Sequence, residues 1–216
     1  MNYVVKKAQT KVELGQWDTG AWQDVSPLDI TLYMGEKPAH APKTQAKVLY
    51  DASAIYVVFR VEDRYVRAVA GHQESVCRDS CVEFFFIPGT DISKGYFNVE
   101  MNCGGNMLFH YQTVPLQGKE IAKADCDQVQ VYHQLPSRID PEIAEPTTWI
   151  VAYKLPVDIL KKYSPVSQPA PGVVWLANFY KCADSTSHPH WLTWSKVDRP
   201  QPNFHVPENF TQITFQ

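Results

Sequence analysis

Hydrophobic and polar positions alternate along most of the chain with a period of two, the repeat of a strand with one buried face, rather than the 3.6 of a helix. Residues 44–50 (TQAKVLY) and 54–62 (AIYVVFRVE) read as strands joined by a short turn at Asp51-Ala52-Ser53. Residues 80–87 (SCVEFFFI) form an apolar run closed by Pro88-Gly89, the pattern of a strand covered on both faces, broken only by Glu83. In the next segment Phe97, Val99, Met101 and Cys103 alternate with Tyr96, Asn98, Glu100 and Asn102, and Gly104-Gly105 then precedes Asn106–Tyr111. Two glycines between alternating runs predict a hairpin with a type I′ turn. Further strands are expected at 128–134, 147–154, 173–182 and 211–215, and one short helix at 156–163, where Pro156 suits a first helical turn.

Prolines gather in the connectors at 165–171 and 200–207, and no internal repeat or long linker divides the chain. Many strands punctuated by turns, with almost no helix, predict an all-β fold. The expected architecture is a two-sheet antiparallel β-sandwich of jelly-roll or immunoglobulin-like type, as one domain over residues 1–216.

Composition narrows the function. The chain has 20 Lys and Arg against 23 Asp and Glu, a net charge of −3 and no basic cluster, so neither nucleic acid nor a membrane surface is an expected partner. A monomer is expected. No apolar stretch reaches the ~20 residues of a membrane helix. The first residues, MNYVVKKAQTKVEL, carry no apolar leader core; the expected location is cytoplasmic, or secreted or periplasmic if a leader was removed. The five cysteines, at 77, 81, 103, 126 and 182, match no zinc-ribbon spacing and read as buried free thiols, with one disulfide open if the chain is exported. No metal ligand set and no cofactor is read from these residues; His188-Pro189-His190 resembles a metal pair but lacks a third ligand.

Enzyme signatures are missing: no phosphate loop, no G-x-S-x-G, no H-E-x-x-H. Two alternatives to simple binding stay open. Glu83 and Glu100, in neighbouring strands, could act as a glycoside hydrolase's carboxylate pair. A DOMON-like domain could bind a haem, with Met101 and His110 as axial ligands, or another small apolar ligand. The alternating polar residues of 96–102 read either as a solvated sheet face or as a ligand-facing ladder, in which amides and carboxylates take sugar hydroxyls while an aromatic ring covers a pyranose face. Trp194, between Thr193 and Ser195, is read as that aromatic platform, its alternative being to cap the sandwich edge; Trp149 and Trp175 lie in apolar strands and read as core.

Several segments together resemble the family 9 carbohydrate-binding modules and their relatives in the DOMON-like β-sandwich superfamily. They are Gln16-Trp17-Asp18 with Ala21-Trp22, Ala46–Asp51 leading to Ile55–Asp63, Arg78-Asp79-Ser80-Cys81-Val82-Glu83, Tyr96–Gly105 and Trp175–Cys182. Leu192-Thr193-Trp194-Ser195 and Asn203-Phe204-His205-Val206-Pro207-Glu208-Asn209-Phe210 complete the set. The resemblance implies a non-catalytic module that holds plant-type polysaccharide or oligosaccharide ends, xylan among them, with structural calcium in some members. The residues it implies for sugar binding are Glu83, Asn98, Glu100, Asn102, Asn178 and Trp194, supported by Arg78. A second sandwiching ring, implied at about Cys77, is not aromatic here.

Overall fold

The computed structural model describes residues 2–216. In chain order its strands are β1 (Asn2–Lys7), β2 (Leu28–Asp29), β3 (Leu32–Tyr33), β4 (Lys43–Tyr50), β5 (Ala54–Asp63), β6 (Val66–Ala68), β7 (Cys81–Ile87) and β8 (Tyr96–Asn102). They continue with β9 (Met107–Gln112), β10 (Lys119–Glu120), β11 (Gln130–His133), β12 (Ile139–Ile143), β13 (Thr147–Pro156), β14 (Val174–Cys182), β15 (Trp191–Thr193) and β16 (Thr211–Phe215). Two helices, α1 (Lys123–Cys126) and α2 (Val157–Lys161), are each little more than one turn.

The strands run in the order β10-β9-β8-β7-β14-β16-β1-β4-β5-β13-β11, a sheet that folds over on itself at β1 to make the two layers of a β-sandwich. Residues 2–5 of β1 pair with β16 and residues 6–7 pair with β4, so one strand serves both layers. Both of these pairings are parallel, where the sequence pattern predicts antiparallel strands throughout, and α1 is a second helix beyond the one expected. Strands β6 and β12 form a separate small pair.

Period-two alternation places Val82, Phe84 and Phe86 of β7, Phe97, Val99 and Met101 of β8, and Ala177 and Phe179 of β14 between the layers. They meet Val57, Phe59 and Val61 of β5 and Trp149, Val151 and Tyr153 of β13. Phe84 stacks on Phe86 at 4.5 Å and on Phe179 at 4.6 Å. Each such ring contributes ~2 kcal/mol from area removed from water.

The turn at Asp51 is built by its own carboxylate, which accepts from the Ser53 and Ala54 amides at 2.7 and 2.8 Å and from the Tyr56 hydroxyl at 2.6 Å. The β8–β9 hairpin is present, but its turn is not of type I′. The Gly105 amide donates to the Asn102 carbonyl at 2.9 Å, and of the two glycines only Gly105 has a positive φ, at 81°. Gly104 is required for space instead, since a Cβ there would sit 2.6 Å from the Ser137 carbonyl oxygen.

The outer face of the β8-β7-β14 layer decides where a ligand can sit. Cys81, Phe85, Ile87, Tyr96 and Tyr180 point outward there, and the C-terminal segment covers part of them with Val197, Phe204, Val206 and Phe210. Phe204 stacks on Tyr180 at 4.1 Å. All seven residues of β7 and all seven of β8 are buried as a result. The polar ladder of 96–102 is therefore not a solvated sheet face.

Candidate functional site

The C-terminal segment does not close over the whole outer face. Between it, the 184–191 connector and the β9–β10 loop lies a hollow of about 420 Å³, within the range of small-molecule sites. Its floor is Glu83 of β7 and Glu100 of β8, directly opposed across the strand pair, with Cys182 of β14 beside them. Its walls include Trp191 of β15, Asp184, Cys77, Phe204 and His205, and Leu116 stands at the rim, 71% exposed.

Alternation explains how two carboxylates reach one spot. Residues 81, 83 and 85 share the outer face of β7, and antiparallel register aligns 83 with 100. Glu83 is 1% and Glu100 6% exposed. Burial, and then the negative charge of Glu100, raises the Glu83 carboxyl well above the usual glutamate range. Burial also raises Glu100, to about 7, against the opposing hydrogen bond from Asn98. Two like charges in a dry floor cannot both ionise without cost, so the pair shares protons near neutrality.

The hydrogen bonds around the pair are ordered. Gln112 Nε2 donates to Asn98 Oδ1 at 3.0 Å, and Asn98 Nδ2 donates to Glu100 Oε1 at 2.9 Å. The Cys182 thiol donates to Glu83 Oε1 at 3.0 Å. Glu83 Oε2 is buried and has no partner among the described residues. A buried acceptor left without a donor costs about 1–3 kcal/mol, which a donor arriving in the hollow would recover.

The walls are also fixed. Trp191 Nε1 donates to Asp184 Oδ1 at 2.7 Å, anchoring the indole at the edge of the hollow. His205 Nδ1 lies 2.7 Å from the Tyr96 hydroxyl, and burial lowers this imidazole to about 4, so it is neutral. A neutral ring bonded through Nδ1 keeps Nε2 for a further partner.

The residues expected from the sequence divide on this geometry. Glu83 and Glu100 line the hollow, and Asn98 holds Glu100 without lining it. Asn102 is spent on Asp79 Oδ2 at 2.9 Å and the Ala70 carbonyl at 3.1 Å, and it accepts from the Asn106 amide. Asn178 brackets Ser195, donating to its carbonyl and accepting from its amide at 3.1 and 2.9 Å. Arg78 is exposed and lines a different depression, with Arg67, Glu74 and Asp79.

Trp194 is 6% exposed and sits edge-on to Tyr3 and Phe179 in the inter-layer core, away from the hollow. The platform expected of it does not form. In Trp191-Leu192-Thr193-Trp194, odd and even positions face opposite ways, and the ring at the hollow is Trp191. Cys77, where the resemblance implies a second ring, lines the hollow and is not aromatic.

The other expected chemistry comes apart. Met101 points into the inter-layer core, whereas His110 pairs with Asn98 and shares its opposite face, so the two cannot ligate one haem. His190 is held at both nitrogens, by Lys181 Nζ at 2.8 Å and the His188 carbonyl at 2.9 Å, while the His188 ring stacks on Tyr65. They form no metal pair. The cysteines are all free thiols.

The sequence profile of carbohydrate-binding family 9 matches residues 4–215. The chain belongs to carbohydrate-binding family 9. Its members are non-catalytic binding modules, which removes the hydrolase alternative for Glu83 and Glu100. A protein of Bacteroides uniformis, provisionally assigned to carbohydrate binding, has 26% identity and a TM-score of 0.88, covering 100% of this chain and 99% of its own. Two structures of a family 9 module from Caldicellulosiruptor kristjanssonii, one with cellotriose and one with glucose, share the fold. Their identities are 13% and 14% and their TM-scores 0.66 and 0.65, over 100% of this chain and 94% and 96% of theirs. Among curated proteins nothing matches.

Proposed function

We propose that this family 9 module binds the end of an oligosaccharide chain in the hollow above Glu83 and Glu100, with the whole chain acting as one binding unit. The observation that carries the reading is the unpartnered Glu83 Oε2, buried at the floor of a hollow large enough for a pyranose and walled by Trp191 and Phe204. A sugar offers what that floor lacks, since each hydroxyl both donates and accepts. An ionised member of the Glu83–Glu100 pair accepts from a sugar hydroxyl in a charge-assisted bond, a protonated one donates to a hydroxyl oxygen, and His205 Nε2 supplies a further polar contact. Trp191, held by Asp184, covers one C–H face of the ring, and Leu116 contributes an apolar edge where a second aromatic is absent. A hollow bounded by loops on several sides suits a chain end better than the middle of a polymer. Cellotriose and glucose, the ligands of the Caldicellulosiruptor modules, are the first to try.

The test is calorimetry with those two sugars on the wild type and on Trp191→Ala. Loss of the indole is expected to weaken binding by ~1–3 kcal/mol, the scale of one large apolar contact. Equal affinities for both proteins would remove Trp191 from the site, and absence of binding to a wider panel of glucan, xylan and mannan oligosaccharides would refute the reading.

A further inference from the structure

Cys81 and Cys182 are directly opposed on β7 and β14, and Glu83 lies two residues along β7 on the same face. The two sulfurs and a Glu83 oxygen all lie within 4.8 Å of one another, and all three residues are buried. The Cys182 Sγ to Glu83 Oε1 distance is 3.0 Å and the Cys81 Sγ to Glu83 Oε1 distance 4.0 Å. Around a tetrahedral zinc with Zn–S of ~2.3 Å and Zn–O of ~2.0–2.2 Å, such atoms stand roughly 3.5–4 Å apart, so only small side-chain adjustments separate this cluster from a coordination shell. Glu83 Oε2, buried and unpartnered, supplies a second observation: the carboxylate has unused ligating capacity at that spot.

The geometry points to a site for one thiophilic cation of the zinc class, held by Cys81 Sγ, Cys182 Sγ and Glu83, with the fourth position facing the hollow. Two paired strands, β7 and β14, hold the ligands, so the site is rigid rather than gathered from loops. Two soft sulfurs and one carboxylate select zinc or cadmium over calcium and magnesium, which take all-oxygen shells. Cation entry forms two metal–sulfur bonds and one metal–oxygen bond and releases to solvent the two thiol protons together with any proton that Glu83 holds. Glu83 belongs to this site and to the proposed sugar floor alike, so the cation replaces one sugar-binding carboxylate by a Lewis-acidic position.

The experiment is a titration of the reduced, chelator-stripped protein with cadmium chloride, read by the thiolate-to-cadmium charge-transfer band. A parallel zinc titration by calorimetry in two buffers counts the released protons. One cation per chain with a two-thiolate band is expected, with affinity falling roughly tenfold or more in each of Cys81→Ser and Cys182→Ser and unchanged in Cys126→Ser. Circular dichroism of each variant separates loss of the site from loss of the fold. Absence of the band in the folded wild type, or a band that survives both substitutions, overturns the inference. Sugar affinity is measured separately in chelator, so failure of the cation site leaves the oligosaccharide reading untouched, and a cation that binds while no sugar does sinks only the latter.

Discussion

At the residue scale the molecule turns on which side of a strand an aromatic falls. Trp191 and Trp194 are three apart, so one faces the hollow and the other the core. Trp194→Ala should cost ~3–5 kcal/mol of stability, the range for removing a packed Trp, read by chemical denaturation. The milder Trp194→Phe should leave sugar affinity within twofold of wild type (roughly 0.4 kcal/mol at RT ≈ 0.59 kcal/mol), because the ring touches Tyr3 and Phe179 and not the hollow. A large loss of affinity in folded Trp194→Phe would show that the core tryptophan, and not Trp191, controls the site. Glu83 was legible beforehand, as the one charge in an apolar run. Trp191, Asp184 and the rim at Leu116 were not, because they stand in connectors whose path no periodicity encodes. The amides misled for a simpler reason. Asn102 and Asn178 look like ladder rungs, but each bonds backbone of a nearby connector, and polar residues on a sheet face serve that purpose as readily as ligand binding.

At the element scale the site is a product of β7, β8 and β14 and of what covers them. The long strands were readable from alternation and from the Asp51 turn. The parallel β1 was not, because NYVVKK offers only two buried positions and its main partner, β16, lies at the far end of the chain. Strand β12 was hidden by Pro141, which belongs at a sheet edge and removes a ladder donor. The β8–β9 turn makes a sharp test. A Cβ on Gly105 would meet the His133 ring at 2.5 Å as well as a positive φ of 81°, whereas Gly172, at φ 86°, has nothing within 4 Å. Both substitutions to Ala carry the conformational cost of ~1 kcal/mol, and Gly105→Ala should exceed Gly172→Ala by a further ~1 kcal/mol of packing strain in urea denaturation. Equal losses would mean that His133 simply moves aside.

At the scale of the whole molecule two buried charge systems have opposite demands. Between the layers, Lys181 Nζ lies 3.4 Å from Asp63 Oδ2, both side chains fully buried, and His40 Nε2 lies 2.8 Å from Asp63 Oδ1. Burial pushes Asp63 up, but the Lys181 charge and the His40 hydrogen bond more than offset it and hold the carboxyl at about 2. Lys181→Met should cost ~3–5 kcal/mol by leaving Asp63 uncompensated, and adding Asp63→Asn should recover part of that loss. On the outer face, Glu83 and Glu100 keep protons in the native state that the unfolded chain releases. Glu100's contribution is complete below the ordinary glutamate value of 4.5 and is lost as pH rises towards about 7, its native value, and Glu83 acts in the same direction. His190 and His205, lowered to about 3 and about 4, act in the other direction: their contribution is complete above the ordinary 6.5 and is lost as pH falls below it. Thermal melts should therefore show stability falling from about pH 6 to about pH 8, and Glu100→Gln should flatten that fall. A wild-type melt that rises over the same interval would contradict a buried, proton-holding floor.

The hollow over Glu83 and Glu100 is the claim on which the functional reading rests. A crystal structure of the protein with cellotriose tests it most directly. A terminal sugar within hydrogen-bond distance of Glu83 or Glu100 and in contact with Trp191 is the expected result. A sugar seated elsewhere, such as the depression beside Arg67 and Arg78, with the hollow left to solvent, would contradict it.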